Sequence, residues 1–155
     1  MDEKFMNRAI ELARQGMDSN IGGPFGAVVV KDGRVIGEGY NQVTSSHDPT
    51  AHAEIVAIRA ACKVLNSFQL DECVIYTSCE PCPMCLGAIY WARMRRVFIA
   101  CSREDAAGAG FDDQFIYEEI NSPISSRTLP VTTLMRDEAL AVFSTWKGKA
   151  DKTEY

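Results

Sequence analysis

Two short motifs, well separated in the chain, carry side chains that bind metals. The first is Thr50-Ala51-His52-Ala53-Glu54, and the second is Glu80-Pro81-Cys82-Pro83-Met84-Cys85. One imidazole and two thiolates favour zinc over the other common divalent ions. A structural zinc is usually closed by four protein ligands, whereas a catalytic zinc keeps a position for water, so three ligands predict a catalytic site. Any fold of this chain must therefore bring His52, Cys82 and Cys85 to one point.

The spacing within the second motif predicts that both cysteines lie at the start of a helix. Pro83 is favoured in the first turn, and residues three apart share a helix face, so both sulfurs can reach one tetrahedral metal. The unpaired N–H groups and the positive end of the helix dipole also lower thiol pKa values there. Cys82 and Cys85 are thus predicted to bind the metal as thiolates.

Glu54 is predicted to be a proton carrier and not a fourth ligand. It lies two residues after His52, and such neighbours on a helix point in different directions. A zinc-bound water is acidified, toward a pKa of about 7 in well-studied sites. A nearby unligated carboxylate is suited to take the proton of this water and pass it on.

Other interpretations of these cysteines remain open on the motif alone. A Cys-x-x-Cys pair also occurs as a buried or redox-active pair. Cys79 extends the series as in an iron–sulfur run, but Ile89-Tyr90 stand where a fourth cysteine followed by proline is required. A zinc-stabilised binding module would need a fourth ligand, for which Cys79 and His47 are the nearby candidates. The other four cysteines are interpreted as small residues of the hydrophobic core: Cys62, Cys73, Cys79 and Cys101.

Composition agrees with a small soluble enzyme. The 155 residues are 46% hydrophobic, enough for one domain with a sizeable core. The 16 Lys and Arg against 21 Asp and Glu give a net charge of −5, which disfavours a nucleic acid partner. Arg93, Arg95 and Arg96 are interpreted as a solvated helix end. The chain has no apolar run of membrane-spanning length and begins with acidic residues, so neither a membrane segment nor a signal peptide is expected. The six cysteines indicate a reducing compartment, and the cytoplasm is the expected location.

Hydrophobic spacing predicts one domain, residues 1–155, in which helices and strands alternate. The predicted helices are Glu3 to Met17, His52 to Leu65, Pro83 to Trp91 and Arg136 to Lys149. The predicted strands are Phe25 to Lys31, Val35 to Tyr40, Cys73 to Thr77, Arg96 to Ala100 and Leu129 to Thr133. Asp32-Gly33 is a two-residue hairpin signal, and Phe111 to Ile120 is expected to be a helix or an ordered loop. Three residues are expected to form the apolar side of the second helix: Ile55, Ile58 and Cys62.

The chain resembles the cytidine deaminase superfamily and, within it, the bacterial guanine deaminases. H-x-E followed by P-C-x-x-C is the signature of the zinc nucleobase deaminases. Further matching segments are Ile21 to Val28, Asn41, His52 to Ile58, Tyr76 to Arg93, and Gly110 to Asp113; residues 121–152 carry no motif of comparable specificity. The resemblance implies a three-layer α/β/α sandwich with a five-stranded mixed sheet. It also implies one zinc per subunit.

The resemblance also implies the reaction and its residues. Guanine would lose its 2-amino group to give xanthine and ammonia in purine catabolism, with Glu54 and Asp113 catalytic. The implied substrate-binding residues are Phe25, Asn41, Ala53, Trp91 and Tyr155. Tyr155 would come from the partner subunit of a homodimer in which the two chains exchange their C-terminal segments, about residues 120–155. Each role competes with a structural one, since Asp caps helices, Asn forms turns and aromatic residues pack cores. The same zinc chemistry also serves deaminases of cytosine, nucleosides, aminotriazines and tRNA adenosine.

Overall fold

A mixed sheet of four strands organises the first of two structural units. The structure is a computed structural model that describes residues 2–111 and 113–155, and it divides into units after Gln114. The strands of the first unit are β1 (Gly26–Lys31), β2 (Arg34–Tyr40), β3 (Val74–Cys79) and β4 (Arg96–Cys101). Their order is β2-β1-β3-β4. β1 is antiparallel to both β2 and β3, while β3 and β4 are parallel.

The turn between β1 and β2 confirms the hairpin prediction. Asp32 and Gly33 have φ angles of 49° and 72°. Positive φ at both central residues is the requirement of a type I′ turn, whose twist matches that of the flanking strands. The turn fixes β2 beside β1 at one edge of the sheet.

Five helices belong to the first unit, within the described residues: α1 (Asp2–Asp18), α2 (Val43–Ser46), α3 (Ala53–Leu65), α4 (Pro83–Trp91) and α5 (Arg103–Gly108). The long helices agree with the prediction, but α2 and α5 were not predicted. Ser102 and Asp105 form a capping box at the start of α5, in which each side chain bonds to the backbone of the other residue. The described helices include none with the length and apolar content needed to span a bilayer.

Helices cover both faces of the sheet, which confirms the three-layer α/β/α prediction for this unit. Alternate residues of β1 divide between the two sides. Ala27 and Val29 belong to the core cluster that includes α3 and α4. Val28 and Val30 belong to the cluster that includes α1. Both faces of β1 are therefore buried.

α3 approaches β2 through small residues, and this contact differs from the prediction. The buried stripe of α3 contains Ala53, Ala57 and Ala61, while Ile55, Ile58 and Cys62 are only partly buried. A Cβ atom at Gly39 would lie 2.3 Å from the carbonyl oxygen of Ala53. The alanine stripe is buried because small residues on both elements allow backbone to meet backbone.

The predicted fifth strand, Leu129 to Thr133, is wrong, and the described sheet has four strands. Residues 129–133 contain no regular secondary structure, and all of them are exposed. The segment has β-branched residues, but a strand also requires a partner, and Pro130 lacks an N–H to donate. Propensity alone therefore misidentified this segment.

The core prediction for the remaining cysteines is also wrong at one position. Cys73 and Cys79 are buried and Cys62 is partly buried, but Cys101 is exposed. Cys101 ends β4, which pairs only with β3 in the described sheet. Its place at the end of an edge strand explains why it is not enclosed.

The second unit, from Phe115 onward, consists of helices with little apolar burial. α6 (Gln114–Asn121) crosses the unit boundary, a 3₁₀ turn covers Ile124–Ser126, and α7 covers Arg136–Gly148. Every residue from 115 to 155 is at least partly exposed. Large apolar side chains are among them, including Leu134 at 83% and Phe143 at 65% exposure. Isolated short helices are marginal in water and usually gain stability by burying an apolar face.

The contact between α3 and β2 yields a test of the fold. Gly39→Ala is expected to lower the free energy of unfolding by about 3 kcal/mol, because the new methyl group would overlap the backbone of α3. Chemical denaturation measures this change. The control is Gly108→Ala, at a helical position with open space around the new Cβ, which is expected to change stability by less than about 1 kcal/mol. Equal stability of Gly39→Ala and the parent would contradict this packing.

Candidate metal centre and active site

The three predicted ligands lie at the N-termini of two helices. His52 is the residue before α3, and Cys82 is the residue before α4. Pro83 occupies the first turn of α4, as predicted, and Cys85 follows it within that turn. Both helices thus direct their unpaired N–H groups and positive dipole ends toward the same region. An anionic ligand set is stabilised there.

The distances between the ligand atoms fit a tetrahedral zinc. Nδ1 of His52 lies 3.6 Å from the sulfur of Cys82 and 3.6 Å from the sulfur of Cys85. With Zn–S of about 2.3 Å and Zn–N of about 2.0–2.1 Å, a tetrahedral angle requires an S···N separation of roughly 3.6 Å. All three ligand atoms lie within 4.8 Å of one another. The donor set and its spacing therefore suit zinc.

The two neighbouring thiols have pKa values that are shifted in opposite directions. A hydrogen bond with Cys85, aided by His52, lowers the pKa of Cys82 to about 4. The same bond raises the pKa of Cys85, because a second negative charge beside the first is unfavourable. The hydrogen bond with Cys82 also raises the pKa of His52. Two adjacent thiolates repel each other, and a bound dication would stabilise both cysteines in the charged form.

Neither candidate for a fourth protein ligand joins the cluster. The metal-binding group found among the described residues contains only His52, Cys82 and Cys85. The thiol of Cys79 instead donates to the carbonyl oxygen of Ser102 at 3.3 Å. His47 is exposed at the end of α2, in the left-handed backbone region. The described side chains therefore leave the fourth position open, as in a catalytic site and unlike a structural one.

Glu54 lies beside the metal ligands as a buried carboxylate. It is in the first turn of α3 and is 6% exposed. Burial raises its pKa, since the charged form loses hydration. Its Oε2 is 3.5 Å from the sulfur of Cys85, and its Oε1 is 3.4 Å from the hydroxyl of Thr77. A carboxylate with a raised pKa beside an open metal position is suited to accept a proton from a metal-bound water.

A cavity of about 300 Å³ opens onto this centre. It lies within the first unit, and its size falls at the lower end of the range for small-molecule pockets. The metal ligands His52 and Cys82 line it. Four other predicted site residues also line it: Phe25, Asn41, Glu54 and Asp113. The structure thus gathers most of the predicted site around one cavity.

Asn41 is held in a fixed orientation at the cavity wall. Its Oδ1 accepts hydrogen bonds from the backbone N–H groups of Gly23 and Val43, each at 3.2 Å. The side chain is buried, with 7% exposure. Because the oxygen serves the backbone, the amide N–H₂ is the group available to donate to a ligand. The turn role and the binding role predicted for this residue are compatible.

Asp113 also lines the cavity, and its surroundings raise the pKa of its carboxyl group. Burial raises its pKa most strongly, and the negative charges of Cys82 and Glu80 add to the effect. Arg103 opposes the shift. Its neighbour Asp112, the other acid of the predicted motif, lies outside the described residues. A carboxyl with a raised pKa in a cavity is a candidate acid–base group.

Three of the predicted substrate-binding residues lie elsewhere. Ala53 is fully buried between His52 and Glu54, where it packs in the core and does not line the cavity. Trp91 ends α4, is 62% exposed and is not among the lining residues. Tyr155 belongs to the second unit and is 69% exposed. Their roles in binding remain predictions.

The structure also adds lining residues that the sequence interpretation did not assign. Phe111 meets Phe25 edge to face, with ring centroids 4.8 Å apart and planes at 83°. Arg103 and Ala106 enter the cavity wall from α5. Two sequence signals were available: Phe111 belongs to the motif around Asp113, and Ser102 with Asp105 matches the capping-box pattern. The cavity is therefore walled partly by aromatic rings and partly by charged groups.

Comparison with known proteins agrees with this geometry. Residues 1–101 match the model of the cytidine and deoxycytidylate deaminase zinc-binding region. The guanine deaminase of Bacillus subtilis strain 168 is 60% identical over 153 residues, which cover 99% of this chain and 98% of that enzyme. A crystal structure of guanine deaminase from Bacillus subtilis has a TM-score of 0.96 at 59% identity and covers 99% of this chain and 98% of that one.

More distant relatives share the same core. The tRNA-specific adenosine deaminase of Haemophilus influenzae is 41% identical over 119 residues, which cover 72% of this chain and 68% of that enzyme. The family model covers more than half of this chain and includes all three metal ligands. This chain belongs to the zinc-binding cytidine and deoxycytidylate deaminase family.

Proposed function

We propose that this protein is a guanine deaminase, which hydrolyses guanine to xanthine and ammonia. The observation that carries the proposal is the convergence of His52, Cys82 and Cys85 beside the buried Glu54, at the base of a small cavity. The 60% identity to a guanine deaminase over almost the whole chain supports guanine as the substrate. The reaction places the protein in purine catabolism.

Glu54 is the proton carrier of the proposed reaction. A zinc ion held by His52, Cys82 and Cys85 supplies Lewis acidity that activates water. Glu54 takes a proton from the attacking water and delivers it to a ring nitrogen beside C2, which makes this carbon more electrophilic. The water oxygen adds to C2 as a hydroxyl group. The remaining proton of this hydroxyl passes to the 2-amino group, the bond between C2 and this nitrogen breaks, and ammonia leaves as the C2 carbonyl of xanthine forms. Because burial raises the pKa of Glu54, this carboxylate accepts a proton more readily than an exposed glutamate does.

Other cavity residues hold the base. The amide of Asn41 donates to an acceptor atom on the purine, since its oxygen is bound to the backbone. The perpendicular rings of Phe25 and Phe111 form apolar walls suited to a flat ring. We assign Ala53 and Trp91 to substrate binding on the resemblance alone. Asp113 shuttles a second proton for the leaving amine, consistent with its place in the cavity wall and its raised pKa.

Ammonia release tests the proposed function. The zinc-loaded protein is incubated with guanine, guanosine, adenine and cytosine, and turnover is expected with guanine. Glu54→Gln is expected to lower guanine turnover by about 10³-fold while zinc content stays at one per chain, because the amide cannot carry the proton. Glu11→Gln, on the exposed face of α1, is the control and should retain full activity. Activity on another base without activity on guanine would overturn the substrate assignment.

Asp113→Asn tests the second carboxylate. This variant is expected to lower kcat for guanine by roughly 10²-fold, the scale of one general acid–base group. Zinc content and the thermal midpoint should match those of the parent. The control is Asp71→Asn, which changes an exposed acid outside the cavity. A fully active Asp113→Asn enzyme would remove this residue from the mechanism.

We further propose that the protein is a cytoplasmic homodimer in which the segment of about residues 120–155 is exchanged between subunits. The support is the exposed apolar side chains of the second unit, because exposed apolar groups on ordered helices mark interaction surfaces. On α7 they include Leu140, Val142 and Phe143. In such a dimer, Tyr155 closes the pocket of the partner subunit.

Removal of the last two residues tests this arrangement. Without Glu154 and Tyr155, kcat/KM for guanine is expected to fall at least about tenfold, because the pocket loses its cover, a loss equivalent to ~1.4 kcal/mol. The thermal midpoint should change by less than about 3 °C. Glu154→Gln, which leaves Tyr155 in place, should behave as the parent. Light scattering of the parent protein should give twice the mass of one chain. A monomer, or unchanged kinetics in the truncated protein, would contradict the proposal.

A further inference from the structure

The two carboxylate oxygens of Glu54 contact two different side chains. The Thr77 hydroxyl lies 3.4 Å from Oε1, and the Cys85 sulfur lies 3.5 Å from Oε2. Cysteine binds zinc as a thiolate, which has no proton to donate. Once the site is loaded, only Thr77 of these two contacts can donate a hydrogen bond to Glu54.

The strand fixes the position of this hydroxyl. Thr77 is on β3, where its backbone lies between Ala27 of β1 and Ile99 of β4. Its side chain is 2% exposed, and a β-branched side chain has few χ1 choices. Glu54 is among the residues that line the cavity, whereas Thr77 is not. The hydroxyl therefore reaches Glu54 without entering the space for substrate.

Thr77 does not need Glu54 to satisfy its hydrogen bonding. The nearer acceptor for its hydroxyl is the carbonyl oxygen of Cys79 at 2.9 Å, compared with 3.4 Å to Oε1 of Glu54. A hydroxyl has one proton and rotates to suit its acceptors. A bond to a charged carboxylate is stronger than one to a neutral carbonyl, and catalytic hydrogen bonds are often long before substrate binds. The present 3.4 Å separation is therefore compatible with a shorter bond in the working enzyme.

We propose that Thr77 is a positioning residue for the deamination: its hydroxyl holds Oε1 of Glu54 and orients the carboxylate for proton transfer. This inference rests on the proposed function. Because Thr77 lies outside the cavity wall, it orients the proton carrier and does not bind the base. Its loss should therefore affect the chemical step and leave guanine affinity unchanged.

Two substitutions at Thr77 test the proposal in the zinc-loaded protein. Thr77→Val keeps the shape and removes the hydroxyl, and it is expected to lower kcat about tenfold, the scale of one hydrogen bond to a charged group. KM for guanine, xanthine binding by calorimetry and zinc content should not change. Thr77→Ser restores the hydroxyl and should recover most of kcat. If Thr77→Val does not fold, Thr77→Ala allows the same comparison with serine.

A neighbouring hydroxyl provides the control. Ser78 is also buried on β3, but its oxygen accepts the backbone N–H of Gly26 at 3.0 Å and has no bond to Glu54. Ser78→Ala should lose stability while keeping kcat. An unchanged kcat in Thr77→Val would overturn the proposal for Thr77, as would a loss that serine does not restore or that accompanies zinc loss. Absence of guanine turnover in the parent would instead overturn the proposed function, and this inference with it.

Discussion

The site depends on the meeting of two helix N-termini beside one sheet. α3 begins after His52, and α4 begins after Cys82, so both helices present positive dipole ends to the same place. Close packing against β2 fixes α3, because glycines on the strand face alanines on the helix. A shift of either helix would separate the 3.6 Å contacts between His52 and the two sulfurs. The packing of small residues in the core thus determines the geometry of the metal site.

The chemistry divides between two groups of residues. The metal ligands and Glu54 lie at helix starts, with their carboxyl and thiol groups largely removed from solvent. In the proposed reaction this group activates water and moves a proton. The walls of the cavity are built differently, from the Asn41 amide, the paired rings of Phe25 and Phe111, and Asp113. Since the first group matches the signature of zinc deaminases that act on different bases, we propose that the second group selects the base.

The sequence predicted features that local rules determine. The Asp32-Gly33 turn follows from the need for positive φ at both residues, and Pro83 marks the start of α4. The metal ligands could be predicted because one histidine and two closely spaced cysteines are a typical zinc ligand set. Glu54 was separated from the ligands by its helical spacing, and the structure places it beside them and buried.

The sequence could not predict features that depend on partners distant in the chain. The segment at Leu129 to Thr133 has strand composition but no pairing strand, and Cys101 is exposed because β4 is at the edge. The α3 stripe was assigned to larger residues, since the glycines that favour alanine there lie on another element. The cavity wall from α5 was missed, although the capping-box pattern at Ser102 was visible in the sequence.

X-ray absorption at the zinc edge of the loaded protein tests the central claim, that this is a three-ligand catalytic centre. We expect two sulfur neighbours at about 2.3 Å and two lighter neighbours at about 2.0–2.1 Å, one from His52 and one from solvent. Guanine deaminase activity should disappear when a chelator removes the metal and return when zinc is added. Three sulfur neighbours, with Cys79 as the third, would indicate a closed structural site and contradict the account.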